Sequence, residues 1–284
     1  MKTLIFFATY NEAGNVTSMI ERINVAATDA DILVVDDSSK DGTLDILASL
    51  ARPNLKVIVR PGKLGLGTAH LLAWKYAIYH SYDVLVTMDG DHSHDPADIP
   101  KLIGALDSTT DLVIGSRYAE GGKCDYTGYR LRVSQAANKA ARLLLGIKLS
   151  EFTTSFRAFR VKRLNNIDFD TLVVGGYSFF LAVIVQAYRH GLKLSERPIH
   201  FHERNAGVSK IPPLEIFRGM ANLLRLTWTR HFTKVATSVN NVMLKCEKCE
   251  CPFSLIRVEQ PHSTGVRDEV CLSCGNRHAG VKAQ

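Results

Sequence analysis

Two carboxylates, Asp89 and Asp91, stand one residue apart directly after the apolar run Val84–Thr87, with His92 and His94 beside them. On an extended backbone, side chains at i and i+2 project to the same side. Two hard oxygen ligands at the mouth of a sheet suit Mg²⁺ or Mn²⁺, which bind a few carboxylates and keep positions open for substrate phosphates. The same stretch can also close a strand as a polar turn, with Asp95 capping the next helix and Pro96 in its first turn. Taken alone, MDGDHSHDP leaves both readings open.

A second group of residues suits a different metal. Five of the six cysteines fall in the last forty residues, as Cys246, Cys249, Cys251, Cys271 and Cys274. Cys246-x-x-Cys249 and Cys271-x-x-Cys274 are two knuckle-like pairs separated by 21 residues. The N-terminal MKTLIFFATYNE reads as a first strand rather than a secretion signal, and on that expectation paired C-x-x-C units favour metal over disulfides. Four thiolates around tetrahedral Zn²⁺ hold together a small module that has little core of its own. Cys251 competes for the place of Cys249, and His262 or His278 could substitute. Such a structural ribbon can mediate contact with a protein partner.

The elements that must position the carboxylates are legible as alternation. Leu4–Ala8, Ile32–Val35, Lys56–Val59, Val84–Thr87 and Leu112–Ile114 are short, unalternating apolar runs, as expected of strands buried on both faces. Asn15–Ala26, Thr43–Ala51, Thr68–His80 and Ala97–Leu106 lie between them with helical spacing. This predicts an α/β fold: a mainly parallel sheet covered by helices on both faces, with ligands at the carboxyl ends of its strands. Polar clusters fall at four such ends: Thr9–Glu12, Asp36–Ser39, Asp89–His94 and Gly115–Arg117. After residue 120, Tyr129–Leu145 reads as a basic helix, Tyr177–His190 as a nearly all-apolar one, and Leu194–Glu203 as a further strand. Leu214–His231 is amphipathic, with Glu215, Arg218, Asn222, Arg225 and Thr229 forming a polar stripe. Residues 1–232 are expected to form the main domain, 233–244 a linker and 245–284 the zinc ribbon.

The remaining strand ends strengthen the substrate-site reading. Asp36-Asp37 followed by Ser-Ser-Lys-Asp-Gly-Thr places acceptors where a ribose or base edge could be read, or forms an Asx turn before Thr43. Arg60-Pro-Gly-Lys-Leu-Gly-Leu-Gly is a glycine-rich loop ahead of a helix, whose N-terminus attracts phosphate. It matches neither the dinucleotide fingerprint nor the P-loop.

Taken in order, Ala8-Thr-Tyr-Asn-Glu, Asp36-Asp37-x-Ser-x-Asp-Gly-Thr, Arg60-x-Gly-Lys-x-Gly-Leu-Gly-x-Ala, Met88-Asp-Gly-Asp-x-Ser-His-x-Pro and Gly115-Ser-Arg-Tyr resemble the family 2 inverting glycosyltransferases. The resemblance lies towards the dolichyl-phosphate mannosyltransferases and their polyprenyl-phosphate relatives. It continues through Arg130–Asn138, Thr154–Arg157 and Arg204-x-x-Gly-x-Ser-Lys210, about four-fifths of the chain. The family implies a Rossmann-like fold of the GT-A type and a GDP- or UDP-sugar donor whose mannose or glucose passes to a polyprenyl or dolichyl phosphate. By match of position, Tyr10, Glu12, Val35, Asp37 and Lys63 are implied at the donor. Asp89, Gly90, Asp91 and Ser93 are implied at the cation and diphosphate. Arg117, Arg204 and Lys210 are implied at the phosphates, and Arg130 and Ser134 at the acceptor phosphate. Two departures stand out: Ala8 replaces the family's usual proline, and Phe180 and Ala182 stand where a Gln and an acidic residue are common.

The chemistry agrees with the implied roles. A departing nucleoside diphosphate builds negative charge, which a divalent cation and guanidinium groups stabilise. A lipid phosphate is already anionic and attacks without a strong base, whereas a sugar hydroxyl would need one; His92, His94, Glu151 and Glu203 are the candidates. The 284 residues suffice for one large α/β domain and an appendage, and the net charge of +7 favours anionic partners. The longest apolar run, Leu172–Ala187, falls short of the ~20 residues of a spanning helix. No transmembrane helix is expected, and membrane contact would be peripheral through 214–231, at the cytoplasmic face. Two other readings stay open: transfer to a hydroxyl of a sugar, protein or nucleic acid, and a non-catalytic nucleic-acid-binding or adaptor protein carrying a zinc ribbon.

Overall fold

The computed structural model describes residues 1–50, 52–169, 172, 178–203, 214–232, 246–251, 255–259, 266–274 and 277–282. Strands β1 (Thr3–Thr9), β2 (Asp31–Asp36), β3 (Leu55–Val59), β4 (Val84–Asp89) and β5 (Leu112–Ser116) follow the five apolar runs. Between them lie α1 (Val16–Ala26), α2 (Thr43–Ser49), α3 (Leu66–Tyr79) and α4 (Ile99–Gly104). The last begins as a 3₁₀ turn, Pro96–Asp98, capped by Asp95 accepting from the Ala97 N–H at 2.8 Å. Proline in that first turn, where its missing N–H costs nothing, starts the helix as the sequence suggested.

The main sheet has seven strands in the order β3-β2-β1-β4-β7-β5-β8, with β7 (Arg157–Arg160) antiparallel to both neighbours and β8 (Leu194–Pro198) parallel to β5. Leu4–Phe7 and Ile32–Val35 are completely buried because both faces are covered, which is why their sequences do not alternate. The chain steps outward from β1 to β3 and returns through α3 to β4 on the other side of β1. That reversal places a crevice at the carboxyl ends of β1 and β4, where such sheets bind ligands.

Two features differ from the sequence expectation. The antiparallel β7 starts at Arg157, the last residue of the motif Thr154–Arg157, in a stretch read without a strand. The predicted strand Leu194–Glu203 breaks at Ile199, because β8 pairs with β5 whereas β9 (His200–Phe201) pairs with β6 (Lys123–Cys124). The nearly all-apolar helix read over Tyr177–His190 is α7 (Ser178–Arg189), in which Phe180 and Ala182 are buried in the core, with the Phe180 ring edge-on to His70 at 5.0 Å. The other helices are α5 (Gly128–Leu145), α6 (Val161–Leu164) and α8 (Leu214–Phe232). A separate antiparallel sheet, β10 (Leu255–Glu259), β11 (Val266–Cys271) and β12 (Arg277–Lys282), follows the first cysteine pair. The expected linker, 233–244, lies outside the described residues.

Candidate active site and cysteine cluster

Register alone brings the first polar clusters together. Ala8 pairs with Asp89 on β4 and with Val35 on β2, and Thr9 pairs with Asp36. Asp36 is fully buried and serves this junction, accepting from the Thr9 hydroxyl at 2.7 Å and from the Ser39 hydroxyl at 2.6 Å. Gly90 is dictated by packing, since a Cβ there would lie 3.0 Å from the Phe7 ring and 3.3 Å from the Ala8 carbonyl oxygen. Asn11, Ser38 and His92 adopt left-handed backbone (φ 58°, 59° and 64°) just beyond β1, β2 and β4. Backbone held in that sparsely populated region by surrounding structure is characteristic of ligand sites.

The two histidines of the loop are structural. The Asp89 N–H donates to His94 Nδ1 at 3.1 Å, and Nε2 lies 3.2 Å from the Thr154 hydroxyl. Complete burial drives the His94 pKa down to about 3, so the ring is neutral and its 3.7 Å approach to Asp89 is no ion pair. His92 meets Ser18 at 2.8 Å and Arg22 at 3.2 Å on α1, and burial followed by Arg22 lowers its pKa as well. Around them, Asp89 Oδ1 accepts from the Ser155 hydroxyl at 2.6 Å, and Asp91 Oδ1 accepts from the Ser93 N–H at 3.1 Å. The hydroxyl of Ser155 arrives there because β7 runs antiparallel and begins where its neighbours end. Hard carboxylate oxygens flanked by neutral imidazoles fit a small divalent cation.

On the β2 side, Arg60 is fully buried and holds Asp37 through Nε and Nη2, each 2.6 Å from Oδ1. Burial raises the Asp37 pKa despite the opposing pull of Arg60. The guanidinium also donates to the Thr68 hydroxyl at 2.7 Å and the Gly65 carbonyl at 3.1 Å, tying the glycine-rich loop to β2. Lys63 lies 4.8 Å above the Tyr10 ring. Glu12 accepts from the Asn15 amide at 2.7 Å at the start of α1, and the Val35 side chain is fully buried in the core.

At the end of β5, Arg117 is clamped. Its Nε donates to Glu151 Oε2 at 2.6 Å and its Nη2 to Oε1 at 3.3 Å, with the guanidinium 4.2 Å from the Phe201 ring. Burial works against the Arg117 charge, but Glu151 outweighs it and raises the pKa. Ser134 on α5 lies 2.8 Å from the Tyr118 hydroxyl, and Arg130 sits 4.3 Å from the Tyr126 ring. Arg204 and Lys210 lie outside the described residues. One trio escaped the sequence reading. Asp125 meets His200 Nε2 at 2.5 Å and His202 Nδ1 at 3.3 Å, while the His202 N–H donates to the Ser93 carbonyl at 2.9 Å. The i, i+2 spacing of His200 and His202 was the available signal.

Cys246, Cys249, Cys271 and Cys274 bring their sulfurs within 4.8 Å of one another. Cys246 and Cys274 are 3.7 Å apart and Cys249 and Cys271 3.6 Å. Zinc–sulfur bonds of about 2.3 Å at tetrahedral angles place sulfurs ~3.8 Å apart, whereas a disulfide needs ~2.05 Å. Burial raises the Cys249 pKa, but the Cys251 N–H and the neighbouring thiols outweigh it and bring it down to about 7, favouring the ligating thiolate. The four cysteines fit zinc, and Cys251 is not among them.

Residues 4–167 match glycosyl transferase family 2. The chain belongs to that family. It is 38% identical over 223 residues to the polyprenol monophosphomannose synthase of Mycolicibacterium smegmatis, covering 77% of this chain and 84% of that protein. It is 37% identical over 228 residues to the undecaprenyl-phosphate mannosyltransferase of Micrococcus luteus, covering 79% and 93%. The fold is similar to glucosyl-3-phosphoglycerate synthase from Mycobacterium tuberculosis in complex with Mn²⁺, uridine diphosphate and glucosyl-3-phosphoglycerate. The TM-score is 0.58 at 20% identity, over 83% of this chain and 81% of that one. The same synthase in complex with Mg²⁺ and uridine diphosphate gives 0.59. This family 2 glycosyltransferase therefore has the mainly parallel GT-A sheet, with a four-cysteine module added.

Proposed function

We propose that this glycosyltransferase moves mannose, or another hexose, from a GDP- or UDP-sugar to a polyprenyl or dolichyl phosphate, with inversion and with Mg²⁺ or Mn²⁺ held by Asp89 and Asp91. An acceptor phosphate oxygen bonds to the anomeric carbon as the bond to the nucleoside diphosphate breaks and its electrons leave with the diphosphate. The observation that carries this reading is the state of the candidate bases. His92 and His94 have lowered pKa values and are packed into the loop, and Glu151 is clamped by Arg117. Three of the four candidate bases are thus engaged in structure, with Glu203 exposed, and such a site suits a nucleophile that is already anionic. The names of the two relatives point the same way.

The surface supports a lipid acceptor. No described helix is long and apolar enough to cross a membrane. On α8, Leu223 and Leu226 face the core, whereas Met220, Leu224, Trp228 and Phe232 are exposed at four-residue intervals. The apolar residues of α8 therefore divide between an inward and an outward face. The neighbouring α5 exposes Arg132, Lys139 and Arg142. An apolar stripe beside basic side chains suits the interface of an anionic bilayer, where a polyprenyl phosphate would be presented.

The second reading, a hydroxyl acceptor, rests on the Asp125–His200 pair, an exposed acid–base couple beside the carboxylate loop. Incubating the protein with Mn²⁺, radiolabelled GDP-mannose or UDP-glucose and a polyprenyl phosphate separates the two. Label is expected in the organic phase, and Asp91→Asn is expected to reduce it by about 10³-fold, the scale for removing one electrostatic stabiliser. Label moving only to a water-soluble acceptor, and lost in His200→Ala, would establish the second reading instead.

A further inference from the structure

The cysteine module is seated beside the nucleoside side of the proposed donor site. Leu272, between the ligands of the second knuckle, is 1% exposed and belongs to the same apolar cluster as Leu33, Val35 and Trp74 of the main fold. Cys251, from the first knuckle's side, packs against that cluster too. The Leu272 carbonyl lies 3.5 Å from Arg60 Nη1. Arg60 is the side chain that holds Asp37 and the glycine-rich loop, and its guanidinium is fully buried. The knuckle therefore places one carbonyl against that arginine and one apolar side chain in the main core.

We propose that the zinc knuckle is a built-in part of the donor site: metal at the four cysteines holds Leu272 in place, Leu272 confines Arg60, and Arg60 presents Asp37 to the nucleoside of the donor. Leu272 and Arg60 are positioning residues in this arrangement. The inference rests on the donor-site reading and adds a regulator to it. Cys271 and Cys274 bracket Leu272 in sequence, so a fixed metal fixes the turn between them. Without metal the turn keeps the Cys274 N–H on Cys271 Sγ at 3.2 Å and thiol approaches of 3.6 and 3.7 Å, contacts far weaker than a zinc–thiolate bond. A buried guanidinium that loses part of its cage admits water and gains alternative rotamers. Asp37 then loses its fixed orientation, and nucleotide affinity falls while the carboxylate loop at β4 is untouched.

The test measures zinc content and nucleotide affinity together on the full chain. Calorimetric titration with GDP and UDP in the presence of Mn²⁺ is run on wild type, Leu272→Asp, Leu272→Met and Cys249→Ser. Leu272→Asp keeps all four thiolates, so one zinc per chain should remain while affinity for the preferred nucleotide falls about tenfold. Leu272→Met should restore wild-type affinity, because it is apolar and of similar volume. Cys249→Ser should lose zinc and weaken binding to a similar degree. Wild-type affinity in Leu272→Asp with zinc retained, or in Cys249→Ser with zinc lost, would overturn the proposal. Asp37→Ala, which leaves the knuckle intact, separates the two levels: unchanged binding there would overturn the donor-site reading itself, and the proposal with it.

Discussion

In the seven-stranded sheet, Leu4–Phe7 and Ile32–Val35 are sealed between helices, whereas in the three-stranded module the described buried cluster is Cys246 and Cys271 with Cys274 against them. Leu272 is the module's described apolar contribution, and it is spent on the larger core rather than on its own. Apolar burial stabilises the first region, at roughly 25 cal/mol per Å² removed from water. Among the described residues the second shows little of it, and a bound metal can supply the difference, since structural zinc contributes on the order of 10 kcal/mol to modules of this size. The proposed functional residues sort accordingly: the candidate substrate site sits on strand ends of the sheet, and the four-cysteine module is placed against it.

The strongest way to break this contrast is to remove the metal. Titrating the thiolates with a mercurial should release about one zinc per chain, and Cys246→Ser should bind none. Amide resonances of β10–β12 should then collapse to random-coil positions while those of β1–β5 stay dispersed. A module that keeps its dispersed resonances without metal would show that its own packing suffices.

Within the larger region, the contrast to sharpen is between apolar and ionic burial. Arg117 and Glu151 form a bidentate pair whose carboxylate is completely enclosed. Removing one partner of such a pair leaves an uncompensated buried charge, at a cost of about 3 to 5 kcal/mol. Urea unfolding of Glu151→Ala should show that loss, and a change under 1 kcal/mol would mean that water reaches Arg117. Glu151→Gln, which keeps the shape, should lose transferase activity only through misplacement of Arg117.

A smaller effect comes from buried imidazoles. His70 sits among Phe6, Phe179 and Phe180, its Nε2 without a partner among the described residues, and burial followed by Arg157 and Arg60 lowers its pKa to about 3. In the unfolded chain it titrates near 6.5. Between those values the unfolded state binds a proton that the folded state refuses, so this contribution to stability is present above pH 6.5 and falls as the pH drops towards 3. The slope is about 1.4 kcal/mol per pH unit for one such group. His94 adds a second, with its pKa also near 3. His70→Phe should remove one proton's worth of that slope between pH 6 and 5, read from urea midpoints. An unchanged slope would mean that His70 is protonated in the folded state.

Much of this architecture could be read from residue patterns, and what could not has specific causes. The five parallel strands announce themselves because strands buried on both faces need continuous apolar runs. β7 does not, because Arg157 and Arg160 flank only two apolar residues; Arg157 is nevertheless 1% exposed, satisfied by the carbonyls of Thr154, Phe180 and Phe152. That satisfaction is a tertiary event with no local signature. The carboxylate loop was legible through Asp89 and Asp91 at strand spacing, and Gly90 between them is explained by the passage over Phe7 and Ala8. The Asp125–His200–His202 trio was not, since it depends on β6 meeting β9, which brings Asp125 to His200 across 75 residues of sequence. The cysteine spacing announced a metal, but the seat of Leu272 against Arg60 joins positions 212 residues apart and could only be seen in the fold.

The least costly contrast to probe is between the two faces of α8. Leu223 and Leu226 are 4% and 6% exposed, whereas Trp228 and Phe232, stacked at 4.4 Å between ring centres, are 62% and 68% exposed. Substituting the inward face should unfold the helix from α7 and lower stability by about 2 to 5 kcal/mol for Leu223→Ala. Substituting the outward face should leave stability within about 0.5 kcal/mol, since surface changes away from packed features have little effect. Its effect should appear at a bilayer instead. Sedimentation with vesicles containing anionic lipid should show Trp228→Ser reducing the bound fraction about fivefold, equivalent to ~1 kcal/mol for apolar surface that is only partly inserted. Trp228→Ser combined with Phe232→Ser should reduce it further, and the loss should deepen at high salt, where the basic side chains of α5 are screened. Equal binding by wild type and the double variant would make the exposed stripe an ordinary surface and place the lipid contact elsewhere on the molecule.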